Sequence, residues 1–510
     1  MTRTDRDQEF ELAVIGGGSA GFAASIRAAE EGLRVALINA GTIGGTCVNL
    51  GCIPSKALIR AAEANHQRAH HPFEGVATAG GDLDWQAVRS QKDALVESLR
   101  QAKYVDVLAG YSSVSLFNQN ARLEHAVEPV VEPVVELGTE TALETAIVAG
   151  VDAERGFPRE ESTRILLEDG TSIITPRVVI TTGASPSIPD IPGLSDVDYL
   201  DSTSVMELDA LPSTMIVLGA GSVALELAQA FARFGVQVTV LSRSSHILSK
   251  QDPDLGNALV DYLRSEGLTV HTGLRVTGVE QRGTQKTVGF QTDGGIDRSV
   301  SADCLLIATG RRPNTAGLGL EEAGVALGPG GEIEVDEFLQ TTNPSVYAAG
   351  DVTGEPMHVY VAAQDASRAV TNALHGNTEA VERRAVPAVV FTDPAVAVVG
   401  LTEAQAREEG GEVITSLLPL EHVPRSLAAQ NTRGFIKLVA EAQTRRIIGA
   451  QILASEAGEM IMEPTLAVKH GLTIDDLTSI LHPYLTLAEG VKLAAQAFDK
   501  SPSELSCCAA

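Results

Sequence analysis

Leu12-Ala13-Val14-Ile15-Gly16-Gly17-Gly18-Ser19-Ala20-Gly21 reads as an apolar strand, a glycine turn and the opening of an alanine-rich helix, with a second apolar strand at Arg34 to Asn39. That is a βαβ unit with a dinucleotide fingerprint. Gly16 makes the tight turn, Gly18 lets a pyrophosphate approach the backbone, and Gly21 lets the helix pack on the strand. The pattern returns once. Met215-Ile216-Val217-Leu218 leads into Gly219-Ala220-Gly221-Ser222-Val223-Ala224, then a helix to Phe234 and a strand from Gln237 to Ser242. One fingerprint is weak evidence. Two in the right context predict an α/β chain with two Rossmann-like dinucleotide-binding domains, each offering a helix N-terminus to a phosphate.

The remaining length fits a third domain, since 510 residues at about 100–200 per domain make roughly three. From about Val386 onward no glycine fingerprint occurs, and strands such as Phe435 to Val439 mix with helices such as Met460 to His470. This predicts a separate α+β domain. Val127 to Thr163 is acidic and repeats Val-Glu-Pro, the pattern of an exposed insertion. No apolar run is long enough to span a bilayer, and the polar Met1 to Phe10 is not a leader. A cytoplasmic protein is expected.

A net charge of −28 argues against nucleic acid and anionic membranes as partners. Only 9 of the 38 basic residues are lysine. An acidic, lysine-poor surface suits a high-salt cytosol, and it also results from GC-rich codon bias plus one acidic insertion. Both readings stay open.

The residue after the second strand of a fingerprint unit selects the nucleotide. In the first unit it is Asn39, which can hydrogen-bond a ribose but carries no charge. In the second it is Ser242, followed by Arg243. An acid there would repel a 2′-phosphate, whereas a small hydroxyl beside an arginine accommodates one. NADPH is therefore expected in preference to NADH.

Five cysteines are too few for a disulfide scaffold in a chain this long. Cys304 lies in the apolar stretch Ala302 to Ala308 and reads as inert core. Cys47 and Cys52 lie in Gly44-Gly45-Thr46-Cys47-Val48-Asn49-Leu50-Gly51-Cys52-Ile53-Pro54-Ser55-Lys56, a spacing that lets two sulfurs bridge across one distorted helical turn. Lys56 follows Cys52 by four residues and so shares its helical face. A helix N-terminus and a nearby cation favour the nucleophilic thiolate.

With this motif the chain resembles the pyridine nucleotide–disulfide oxidoreductases. Thr181-Thr182-Gly183-Ala184 and Ala308-Thr309-Gly310-Arg311 resemble the crossing points between nucleotide domains in that class, and Tyr347-Ala348-Ala349-Gly350-Asp351 resembles its second FAD motif. The resemblance implies the order FAD domain (1–190), NADPH domain (191–308), return to the FAD domain (309–385) and dimerisation domain (386–510). It implies that Gly41, Thr46, Lys56, Ala121, Asp351 and Val359 touch FAD, with Thr182, Gly183 and Gly310 at the crossings. It further implies that Cys52 faces the flavin, that Cys47 is the interchange thiol, and that Glu226 pairs with Lys56 near the isoalloxazine. The enzyme would be a homodimer with shared active sites.

Disulfide-reducing members protonate a leaving thiolate with a histidine in a His-x-His-Pro-Thr-x-x-Glu pattern. The matching stretch here runs from His482 to Glu489 and puts Tyr484 at that position. A phenol with pKa near 10 is a poor base at neutral pH. The chain then ends Ser506-Cys507-Cys508-Ala509-Ala510. Thiolates select soft metals, so a terminal thiol pair on the partner subunit could collect a soft ion and pass it to Cys47 and Cys52. The tail, Tyr484 and Phe391-Thr392-Asp393-Pro394 all resemble the Hg(II)-reducing branch of the family. Hg(II), delivered as a thiol complex, is the expected substrate, with Tyr484 and Tyr199 lining its pocket. The N-terminal Cys-x-x-Cys domain that many such members carry is not expected here. The alternative is a dithiol/disulfide reductase of the family, such as a large thioredoxin reductase, which would need the missing base. A non-catalytic metal-sequestering flavoprotein would bind the metal without oxidising NADPH.

Overall fold

The computed structural model describes residues 7–78, 81–127 and 162–505. Cys507, Cys508 and most of the acidic stretch 127–163 lie outside them. The chain divides into two compact units. One comprises 1–53, 94–185 and 311–381, and the other 54–93, 186–310 and 382–510.

The first unit is built on a five-stranded parallel sheet ordered Val346–Ala348, Val178–Ile180, Leu12–Ile15, Val35–Ile38, Val114–Phe117. Its central strands are apolar at every position because both faces are covered. Helices Ser19–Glu30 and Val359–His375 contribute Ala20, Ala24, Ala28, Ala362, Ala366 and Ala369 to the core on one face. Leu123, Ile165 and Ile173, from a second, four-stranded sheet, join the core on the other.

The second unit holds the other fingerprint. Its parallel sheet runs Thr269–His271, Gln237–Leu241, Thr214–Leu218, Cys304–Ile307, beside a three-stranded antiparallel sheet. Cys304 is half-buried against that core, and burial pushes its thiol pKa up. A five-stranded antiparallel sheet from 388 to 454, with helices around it, forms the α+β portion. Residues 54–93 cluster with this unit. Leu58, Ala62 and Trp85 join the cluster around Phe231 and Phe234, and Trp85 Nε1 donates to the Leu208 carbonyl at 2.8 Å. No described helix is long and apolar enough to cross a membrane.

Candidate functional site

The first fingerprint owes its glycines to close backbone approach. A Cβ on Gly16 would sit 2.4 Å from the Thr181 carbonyl oxygen, and one on Gly21 would sit 1.7 Å from that of Gly16. Gly18 caps the helix Ser19–Glu30 without any side-chain bond, which leaves the N–H groups of the first turn for an anion. Asn39 is buried, and its Oδ1 accepts from the Gly17 N–H at 3.0 Å while its amide donates to the Gly41 carbonyl. Asn39 thus braces the loop itself.

Gly45 begins the short helix Gly45–Asn49 that carries Thr46 and Cys47, and a Cβ there would lie 2.5 Å from Gly18 Cα. The cysteine segment and the fingerprint therefore touch backbone to backbone. Cys52 opens a second helix, Cys52–Ala69, after a break at Leu50 and Gly51. The pair spans a gap between two helices, where the sequence predicts one distorted turn. Both thiols are partly exposed. Pro54 falls in the first turn, where its missing N–H costs nothing.

Thr182 Oγ1 donates to the Asn314 carbonyl at 2.7 Å, and the Asn314 N–H donates to Gly183 O at 2.9 Å, so the first crossing turn is stitched. Asp351 follows Gly350, at φ +80°, and lies 3.8 Å from Arg311. Burial pushes the Asp351 carboxyl above its usual range, against the pull of Arg311 and His358. Val359 opens its helix partly exposed, whereas the Ala121 side chain is in the core and could meet a cofactor only through its main chain. The uncapped helix and the glycine cradle fit an FAD.

Sequence reading passed over Tyr104. It sits in a π-helical turn, Gln101–Val105, a local irregularity frequent at functional sites. Its hydroxyl is 3.1 Å from Ser19 Oγ and its ring 4.7 Å from that of Phe22. Burial pushes its pKa up, and the charges of Cys47 and Cys52 add to that. A groove of about 520 Å³ opens beside it, lined by Ser19, Phe22, Ile26, Val359 and Tyr360. A tyrosine in the middle of a helical pattern gave no local signal.

In the second unit the fingerprint repeats the same logic. A Cβ on Gly219 would meet the Ala308 oxygen at 2.1 Å, whereas one on Gly221 would meet nothing within 4 Å, as an open phosphate cradle requires. Gly221 also caps its helix without a side-chain bond, and Ala224 is fully buried against the core. Ser242 is buried, and its N–H donates to His271 O at 2.9 Å, while Arg243 is exposed beside it. The Ser187 N–H donates to Gly310 O at 2.9 Å. These residues fit a dinucleotide.

Lys56 Nζ lies 2.7 Å from Glu226 Oε2, on the fingerprint helix Ser222–Arg233. Glu226 is buried, and its Oε1 accepts from the Phe391 N–H at 2.9 Å. The Phe391 ring centroid is 4.6 Å from the Lys56 ammonium, within cation–π range. Tyr199 is partly exposed next to Leu200, whose backbone bridges to Leu306. Tyr484 is well exposed. His482 is inward: Nε2 lies 2.9 Å from Glu463 Oε1 and Nδ1 lies 3.1 Å from Ile480 O. Both ring nitrogens are engaged, and the side chain is 5 % exposed.

A family model described as "Pyridine nucleotide-disulphide oxidoreductase" matches residues 10–366, and one for that family's dimerisation domain matches residues 386–495. The chain is 42 % identical to a mercuric reductase of Staphylococcus aureus, over 99 % of this chain and 85 % of that one. It is also 42 % identical to a mercuric reductase of Streptomyces lividans, over 98 % of each. Among solved structures it is similar to the Cu(II) complex of the HOCl-induced flavoprotein disulfide reductase RclA from Escherichia coli. That likeness has a TM-score of 0.79 at 28 % identity and covers 96 % of this chain and 99 % of that one.

Proposed function

The chain belongs to the pyridine nucleotide-disulphide oxidoreductase family, and from that membership we propose that it is a homodimeric FAD enzyme that reduces Hg(II) to Hg(0) with NADPH. The carrying observation is the segment from His482 to Glu489. The one histidine there is held by Glu463 and Ile480, and the position where a disulfide reductase keeps its base is the exposed Tyr484. A leaving thiolate would meet a phenol rather than an imidazole at that position. A metal accepting electrons needs neither. The mercuric reductases similar to this chain support the same reading.

Bound FAD would supply a two-electron relay between a nicotinamide and the cysteine pair. Cys47 and Cys52 hold Hg(II) as thiolates, the form in which sulfur binds soft metals. Lys56, one helical turn beyond Cys52, is fixed by Glu226 as a positive charge on that helix. Tyr104 lines the approach from the groove on the first unit. The partner subunit's Cys507 and Cys508 deliver the metal by ligand exchange, with Tyr484 and Tyr199 as further lining groups. Two electrons leave NADPH and both end on mercury, and one proton is released.

The test is NADPH oxidation with Hg(II), oxidised thioredoxin and lipoamide in parallel, each with excess small thiol. Oxidation driven by Hg(II) alone is expected, and its absence overturns the assignment. Cys507→Ala with Cys508→Ala should lose turnover while keeping the flavin spectrum; loss of flavin instead would make the tail structural. Arg243→Glu should lower kcat/KM for NADPH by about 10- to 100-fold, the worth of one charge-assisted hydrogen bond. The value for NADH should hardly move, and an equal loss for both nucleotides would remove Arg243 from phosphate recognition.

A further inference from the structure

Glu226, Gln229 and Arg233 fall at i, i+3 and i+7 on the helix Ser222–Arg233, and all three are buried. A polar stripe facing inward on a helix needs partners, and the segment Phe391–Asp393 supplies most of them. Gln229 Nε2 donates to the Asp393 carbonyl and the Asp393 N–H donates back to Gln229 Oε1, each at 2.8 Å. Asp393 also receives two guanidinium groups, Arg233 at 2.8 Å on one oxygen and Arg433 at 2.9 Å on the other. The same two arginines reach Glu266 at 2.7 and 3.0 Å. Charge therefore alternates around a closed ring of two acids and two arginines, and no member is left as a lone buried ion.

Two residues before Asp393, the same segment meets Lys56 and Glu226. The Phe391 N–H occupies one oxygen of Glu226, which leaves the other for the Lys56 ammonium, and the Phe391 ring covers that ammonium. A three-residue segment bolted down at one end thus orients an ion pair at the other.

We propose that Asp393 and Gln229 are positioning residues for the Lys56 charge, acting through Phe391 on Glu226. They touch neither substrate nor cofactor. Their work is to hold the Phe391 backbone so that Glu226 presents one carboxylate oxygen to Lys56. This rests on the reading above that Lys56 stands beside bound FAD. A cation fixed there stabilises the reduced, more negative cofactor, and a cation free to swing stabilises it less.

Asp393→Asn keeps the shape and removes the charge that both arginines grip. In the FAD-loaded enzyme it should slow cofactor reduction by NADPH about tenfold and lower the midpoint potential measured against a redox dye. In a Glu226→Gln background the same change should add less than about twofold, because the route through Glu226 is already cut. A midpoint potential that stays at the wild-type value while the melting temperature falls overturns the proposal. So does an undiminished loss in the Glu226→Gln background. Gln229→Met, of similar volume, should give the same two shifts if Asp393→Asn fails to fold, and a wild-type potential in that variant also overturns the proposal. Neither measurement uses a metal, so a protein that fails to reduce Hg(II) would still report on Asp393.

Discussion

Cys47→Ser and Cys52→Ser should each abolish Hg(II)-dependent NADPH oxidation, by a factor of about 10⁴ or more, the size of loss seen when one member of a catalytic unit is removed. On the proposed mechanism the two sulfurs act on one metal ion, so the double variant should be no worse than either single one. That non-additivity is the sharper part of the prediction. A serine hydroxyl is close to the thiol in size but is a hard, protonated oxygen at neutral pH, and it neither binds a soft ion nor carries electrons. Packing should survive, since both thiols are partly exposed and no core cluster includes them. The variants should purify yellow, with the wild-type melting temperature. Steady-state oxidation with and without Hg(II) measures the loss, and retention of more than a tenth of the activity by either variant would remove the pair from the chemistry.

Lys437→Met should destabilise the protein by about 3–5 kcal/mol, the usual result of stripping the counter-ion from buried charges. Lys437 Nζ lies 2.9 Å from Asp252, 3.0 Å from Asp254 and 3.1 Å from Glu403. Asp252 and Lys437 are both buried, and Gln451 Nε2 donates to the same Asp252 oxygen at 2.5 Å. Burial alone would lower the lysine's pKa, but its bonds to Asp252 and Asp254 overrule that and hold it above its ordinary range. A lysine raised in this way contributes stability that is fully present below its unfolded value of about 10.4, and loses it as pH climbs from there through the folded value. Removing the cation leaves three carboxylates facing one another at every neutral pH. Denaturant unfolding at one fixed protein concentration measures the loss, the concentration mattering because a dimer's stability depends on it. Adding Asp252→Asn should restore part of the loss, since it removes the most buried of the three negative charges.

What the sequence revealed follows from how local each signal is. The fingerprints were readable because every part of the argument lies within about 30 residues. A glycine was needed at Gly16 and Gly21 to avoid carbonyl oxygens close at hand. The Lys56–Glu226 contact joins residues 170 positions apart, and only the likeness to a family suggested it. Nothing suggested Tyr104. Its link to the cysteines depends on a π-helical turn that no periodicity announces. The stripe Glu226, Gln229, Arg233 was visible as a spacing, but polar residues at that spacing ordinarily mark the wet face of a helix. Only the tertiary partners Lys56, Glu266, Phe391 and Asp393 turn it inward. The packing of residues 54–93 around Phe231 was hidden for the same reason, because order along the chain says little about which core a helix joins.

The approach of Gly45 to Gly18 has a consequence for how this protein can change. The loop that would cradle a phosphate and the helix that carries Cys47 are packed with no side chain between them. A side chain at Gly45 would strike the Gly18 backbone, so the cysteine helix cannot gain one there while the loop stays as it is. Motifs that look separable on paper therefore form one inherited block. Mutational drift, or a laboratory selection for another metal, must leave Gly45 in place and work through the surrounding side chains.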